Sequence, residues 1–382
     1  MQCEKLFEEI DNLYPKYLKV WEDVCNIESP TNYKEGVDKV AEYFKNMAEK
    51  LSWKVEVLKQ KVAGDVLVIT ANENSDEKPV CFSGHSDTVH PIGLFGSPAV
   101  KMDKEKIYGP GVMDCKGGIV ASFMAMEALI KCGYKKRPLM LLIQSDEEVG
   151  SSISHKETIN YNCEKTKDAI AFFNTEGQVK GTAVIERKGI LRYRFEVSGV
   201  ALHSARCAEA ASAIRDASYK IIELEKIKDA KGLTCNCGLI SGGSAANIVA
   251  AKCTFMADIR FVNEQELNEV REKVNEIAEK VYVEGCSTEF EEISFRPAME
   301  KCEKNVKLLD KMNEKYMECG MEQLKPRVNL RGSDAAYTTL SGIPTVDCVG
   351  VEGKNIHSKD EFAYLASLKT SAKNLAAVTY MI

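Results

Sequence analysis

Apolar and polar positions in the first 180 residues repeat with two different periods. Residues 33–51 (YKEGVDKVAEYFKNMAEKL) follow helical spacing, and residues 117–132 form a longer helical stretch rich in Ala and Met. Short apolar runs lie around them: 66–70 (VLVIT), 80–83 (VCFS), 139–144 (LMLLIQ) and 169–173 (AIAFF). Each has the length of a buried strand, and strands alternating with helices predict a sheet covered on both faces. The pattern changes after Gly181. Residues 191–198 (LRYRFEVS) alternate apolar with polar, as a half-exposed antiparallel strand does. A helix at 208–227, strands at 234–240 and 251–261 and a helix at 265–281 follow. Past Pro297 the chain returns to helix then strand, and 342–349 (GIPTVDCV) is expected to rejoin the first sheet. The fold expected is therefore α/β, with a mostly parallel sheet covered by helices. Residues 1–180 and 298–382 would build that domain, and 181–297 a small inserted α+β domain.

A length of 382 residues suits two domains, or one domain with an insertion. The 51 basic against 57 acidic residues give a net charge of −6, which argues against nucleic acid or an anionic membrane as partner. No stretch approaches the roughly 20 apolar residues that span a bilayer. The opening MQCEKLFEEIDNLY reads as a charged, amphipathic surface helix without a signal peptide's apolar centre, so a cytoplasmic location is expected. The 14 cysteines are scattered and lack zinc-finger spacing. Cys235 and Cys237 fall in a strand-like stretch, and the expectation is free thiols acting as small apolar residues.

Polar groups with metal-binding chemistry follow several of the apolar runs. His85 and Asp87 come after VCFS, Glu147 and Glu148 after LMLLIQ, Glu176 after AIAFF, and His357 after TVDCVG and a short loop. In an open α/β sheet the carboxyl ends of the strands are where ligands bind. Asp114 lies in the glycine-containing loop GPGVMDCKGG just before a helix. Taken singly, each acid reads as a helix cap or loop residue and each histidine as a surface group. Together, imidazoles and carboxylates converging on one edge suit zinc, with cobalt or manganese as substitutes.

The segments GHSDTV, GPGVMDCKGG, SDEEVGS, NTEG and RGSDAAYTTLSGIPTVDCVGVEGKNIHSKDEF occur in this order along nearly the whole chain. They resemble the zinc amidohydrolases that include acetylornithine deacetylase, succinyl-diaminopimelate desuccinylase and peptidase T, with SDAAY most like the bacterial glutamate carboxypeptidase branch. The resemblance implies two zinc ions, one on His85 and Glu176, one on Glu148 and His357, with Asp114 bridging. It implies Glu147 as general base and Asp87 as the residue orienting His85, and it suggests a cis peptide after Asp114. In the inserted domain it implies that His203, in SGVALHSARC, stabilises an oxyanion, reaching the partner subunit's site in a homodimer. Asn247, in SGGSAAN, would lie near the substrate. Arg260 and Arg296 are candidates for gripping a substrate carboxylate, the alternatives being a surface strand arginine and a domain-hinge salt bridge.

The function expected is release of an amino acid from a small peptide or N-acyl-amino acid. Carboxypeptidase, di- or tripeptidase and N-acyl deacylase stay open, and a non-catalytic metal-binding homologue is the reading from another class. A nucleotide-binding enzyme is rejected because Gly109-Pro110-Gly111 lacks a third glycine and follows no clear strand. A serine hydrolase is rejected for want of a G-x-S-x-G elbow. His90, in TVHP, reads as a structural loop residue, and Cys115 as a packed bystander.

Overall fold

The computed structural model describes residues 2–230 and 232–382. It divides into two compact units, one of Met1–Ile185, Lys301–Val328 and Tyr337–Ile382, the other of Glu186–Glu300 and Asn329–Ala336.

The chain opens with helices α1 (Gln2–Asn26) and α2 (Lys34–Lys50). Strands β1 (Lys54–Leu58), β2 (Val66–Ala71) and β3 (Val80–His85) follow, then the short β4 (Lys101–Met102) and β5 (Lys106–Tyr108). Helix α3 (Lys116–Lys131), β6 (Leu139–Gln144), α4 (Glu157–Thr166), β7 (Ala171–Asn174) and β8 (Thr182–Arg187) come next. The second unit carries β9 (Gly189–Ser198), α5 (Ala213–Leu224), β10 (Thr234–Gly242), β11 (Lys252–Phe261), α6 (Glu264–Glu279) and β12 (Ser287–Arg296). The chain then forms α7 (Glu303–Glu318), β13 (Lys325–Asn329), α8 (Ala335–Leu340) and β14 (Thr345–Asp347). It ends with β15 (Gly353–Lys354), β16 (Phe362–Tyr364) and α9 (Leu365–Met381).

Eight strands make one mixed sheet in the order β1-β2-β6-β3-β7-β14-β8-β13. The parallel part is its centre, where β6, β3, β7 and β14 run side by side. Strands β2, β3 and β6 are buried at every position, which is why they appear in the sequence as continuous apolar runs. The antiparallel edge strand left a weaker mark. Strand β1 is KVEVL, a partly exposed edge that pairs with β2 through alternating charged and apolar residues.

Helix α3 is buried on nearly all sides and packs against α1, α9 and β3. Its first turn needs glycine. A Cβ at Gly118 would meet the carbonyl oxygen of Thr175 at 1.9 Å, and one at Gly350 would meet the same atom at 2.1 Å. The main chain just after β7 is thus wedged between α3 and the segment that follows β14.

The expectation of free thiols throughout is corrected at one pair. Cys3 of α1 and Cys319, just past α7, form a disulfide with their Cα atoms 5.8 Å apart. That separation lies within the span a disulfide bridges. The remaining cysteines are free, Cys235 and Cys237 among them.

In the second unit, β10-β11-β9-β12 form an antiparallel sheet with α5 and α6 packed against it. Phe195 stacks on Phe255 at 4.5 Å and on Phe290 at 5.8 Å, closing the core between neighbouring strands. Strand β12 (STEFEEISFR) was not anticipated, because its three glutamates mask its apolar face. Among the described residues no helix is long and apolar enough to cross a membrane.

Candidate active site

Parallel register brings the candidate residues level. His85 ends β3 opposite Gln144, the last residue of β6, and Ser83 lies opposite Asn174, the last of β7. Continuing past those ends, the chain reaches Glu147 and Glu148 on one side and Glu176 on the other. Asp114 is delivered by the loop into α3, and the tight packing of Gly118 on Thr175 fixes that loop beside Glu176. His357 follows β14 and a loop, and the sequence reading missed that this loop contains β15: His357 lies between β15 and β16 of a separate four-stranded sheet, β15-β16-β5-β4. Strands of two or three residues are too short to leave a periodic pattern.

The five candidate ligands come together in the first unit. His85 Nε2 lies 3.2 Å from Asp114 Oδ1 and 3.6 Å from Glu176 Oε1. His357 Nε2 lies 3.0 Å from Asp114 Oδ2 and 3.2 Å from Glu148 Oε2. The Asp114 carboxylate therefore has one oxygen toward each histidine. Asp114 and Cys115 are joined by a cis peptide bond. Cys115 Sγ accepts a hydrogen bond from the His85 amide at 3.0 Å, and burial pushes its thiol pKa well above the usual range.

Asp87 is fully buried and organises both sides of this cluster. The His85 Nδ1 is 2.9 Å from the Asp87 carbonyl and 3.3 Å from its carboxylate. Those oxygens only accept, so Nδ1 carries a hydrogen, and Nε2 is the nitrogen that faces the carboxylates of Asp114 and Glu176, free to give up its own hydrogen to a metal. The Asp87 carboxylate also accepts the amides of Glu147 (3.2 Å) and Glu148 (3.1 Å) and the hydroxyl of Thr31 (2.8 Å). Thr31, which precedes α2, carried no signal in the sequence. Glu147 is buried beside Glu148.

The electrostatics call for cations. Three carboxylates and two imidazoles share one small volume, and among the described residues His85, Asp114 and Glu148 offer donor atoms within 4.8 Å of one another, as do His85, Cys115 and Glu176. Hydrogen bonds to Asp114 and Glu148 push the His357 pKa up to about 10. Burial, then the charge of Asp114, pushes the Glu148 pKa up to about 8. The nitrogen and oxygen donors are those that suit zinc, so the residues present fit a divalent metal.

Residues 81–380 match the family model described as peptidase family M20/M25/M40. The chain belongs to this family. Carboxypeptidase G2 of Pseudomonas sp. (strain RS-16) is 26% identical over 370 residues, covering 95% of this chain and 88% of the relative. Succinyl-diaminopimelate desuccinylase of Rickettsia felis is 27% identical over 291 residues, covering 70% and 74%. Among solved structures, a tripeptidase from Staphylococcus aureus superposes with a TM-score of 0.79 at 21% identity, covering 96% of this chain and 98% of that one. A metallo-carboxypeptidase from Sulfolobus solfataricus gives 0.76 at 20% identity, covering 95% and 98%. As an M20 peptidase the chain is a hydrolytic enzyme, a metal-dependent hydrolase of amide bonds. Its substrates are peptides or amino-acid derivatives.

The other candidates lie in the second unit. His203 is exposed and its Nδ1 accepts the Ala205 amide at 3.2 Å, capping a short 3-10 turn. Asn247 is beside it, its carbonyl accepting the Ser204 amide at 2.9 Å. A hollow of about 770 Å3 lined by Cys207, Arg215, Ser244 and Ile248 adjoins this turn. Arg260 is held by Asp258 through contacts of 2.6 and 3.2 Å. Arg296 ends β12, buried, where a Cβ on Gly332 would meet its Cδ at 2.7 Å. Arg187, missed in the sequence reading, donates to the carbonyls of Arg331 and Gly332 and fixes the RGSDAA segment.

Proposed function

We propose that this enzyme is a di-zinc hydrolase that removes an amino acid from the carboxyl end of a small peptide or amide, in the manner of a glutamate carboxypeptidase. The observation that carries the reading is the Asp114 carboxylate lying between two histidines, with one acidic partner for each: Glu176 beside His85 and Glu148 beside His357. Those five residues would hold two zinc ions, with Asp114 shared. Zinc there supplies Lewis acidity toward an amide carbonyl and acidifies water.

The remaining roles belong to the chain itself. Glu147 takes a proton from the water that attacks the carbonyl carbon and passes it to the nitrogen as the C–N bond breaks. Asp87 keeps His85 in the tautomer whose Nε2 faces the carboxylates. His203 donates to the carbonyl oxygen as it gains charge. Asn247 contacts the substrate, and Arg296 or Arg260 binds its free carboxylate.

The enzyme is also proposed to work as a cytoplasmic homodimer joined through the second unit. Strand β10 is an edge strand with Leu239 and Ile240 exposed, and α5 exposes Ile214 and Ile222. An open edge carrying apolar side chains suits pairing with a second copy. Residues 181–297 remain the proposed inserted domain.

The test is amino-acid release from dipeptides, tripeptides, folyl- and N-acyl-amino acids by zinc-, cobalt- or manganese-loaded enzyme, with a chelator control. Chelator-sensitive release of C-terminal glutamate supports the carboxypeptidase reading. Release only from N-acyl-amino acids, or only from di- or tripeptides, replaces it with the deacylase or peptidase alternative.

A further inference from the structure

We infer that Glu361, paired with His90, is a positioning residue that sets Asp114 against His357; the inference rests on the metal-centre reading above. Glu361 is fully buried and His90 nearly so. A carboxylate without water must find its donors in the protein. Glu361 Oε1 accepts the amides of Met113 (2.9 Å) and Asp114 (3.1 Å), and Oε2 accepts from His90 Nε2 at 2.7 Å. The edge of the Phe95 ring system meets His90 with centroids 5.0 Å apart, closing that side.

Two features give this network a purpose beyond packing. It grips the amide of Asp114 itself, the residue whose carboxylate lies between the two histidines. It also originates four residues after His357, in a short turn closed by the Ser358 amide on Asn355 and the Glu361 amide on Ser358. One side chain thus ties the backbone of one candidate ligand to the loop that carries another. The β5–β16 pairing and the Gly109 amide on the Glu361 carbonyl still join the two segments at their base, so loss of the side chain frees the Asp114 end, and a displaced ligand binds metal more weakly. His90, which reads in the sequence as a structural loop residue, completes the anchor by donating to the second carboxylate oxygen.

The experiment measures zinc affinity by competition with a chromophoric chelator, using the full chain and its Glu361→Ala, Glu361→Gln and His90→Asn variants. Folding of each metal-free protein is followed by circular dichroism. Glu361→Ala is expected to weaken zinc binding about 10–100-fold while staying folded. Glu361→Gln keeps an oxygen for the two amides and is expected to restore most of the affinity. His90→Asn should fall between. Parent affinity in folded Glu361→Ala overturns the proposal, as does a Gln variant as weak as the Ala one. If Glu361→Ala does not fold, His90→Asn decides, and parent affinity in that variant overturns it. A parent protein that binds no zinc fails the metal-centre reading itself, an outcome distinct from all of these.

Discussion

Replacing Asp87 by asparagine changes one atom and reverses the hydrogen-bonding sense of half the group. The carboxylate faces donors: the Glu147 amide at 3.2 Å on one oxygen, and the Glu148 amide at 3.1 Å with the Thr31 hydroxyl at 2.8 Å on the other. Asparagine can accept on one side only. Its NH2 then points at an amide N–H, leaving at least one buried donor without a partner. A buried unsatisfied donor costs about 1–3 kcal/mol. The loss is expected to appear in metal binding, because the displaced amides belong to the Glu147–Glu148 segment and His85 loses a charged neighbour 3.3 Å from its Nδ1. Changes of this kind around a ligand lower metal affinity about 10–100-fold, equivalent to about 1.4–2.8 kcal/mol, which matches the hydrogen-bond estimate. The assay is zinc competition on purified Asp87→Asn, with Thr31→Val as a control that removes one neutral donor and is expected to lose less. A folded Asp87→Asn protein with parent zinc affinity and parent kcat would refute the reasoning.

Three further outcomes are expected. Glu147→Ala should lower kcat about 10²–10⁴-fold with zinc content unchanged, measured by steady-state kinetics and metal analysis; retained turnover would put the general base elsewhere. His203→Ala should lower kcat about 10²–10³-fold with zinc content intact, and an unchanged kcat would remove His203 from the reaction. Asp65 is a stability case: burial opposes its charge, but Lys59, the Gln60 amide and Lys34 outweigh that and hold its pKa below the ordinary 3.8. The folded state therefore binds this proton less readily than the unfolded one, so Asp65 stabilises above pH 3.8 and loses that contribution as pH falls through its lowered value. Chemical denaturation should find Asp65→Asn less stable than the parent at pH 7, with the gap closing in acid; a gap constant with pH would contradict the assignment.

What the sequence made legible follows physical lines. β2, β3 and β6 are buried at every position, so burial alone wrote them into the apolar pattern. His85, Glu147, Glu148 and Glu176 could be placed because each follows such a strand, and a parallel sheet aligns strand ends. The chain's long-range anchors left no such trace. Thr31 acts on Asp87 across 56 positions, and Glu361 on Met113 across 248. Neither contact has a period or a spacing rule behind it, although Glu361 sits in the same IHSKDEF stretch as His357. The Cys3–Cys319 bridge, spanning 316 positions, escaped for the same reason.

The central claim is tested most directly by a crystal of the zinc-soaked enzyme with diffraction recorded on either side of the zinc absorption edge. The account predicts two anomalous peaks, one between His85 and Glu176 and one between Glu148 and His357, with Asp114 touching both. Peaks elsewhere on the chain, or none at these residues in a zinc-saturated protein, would contradict it.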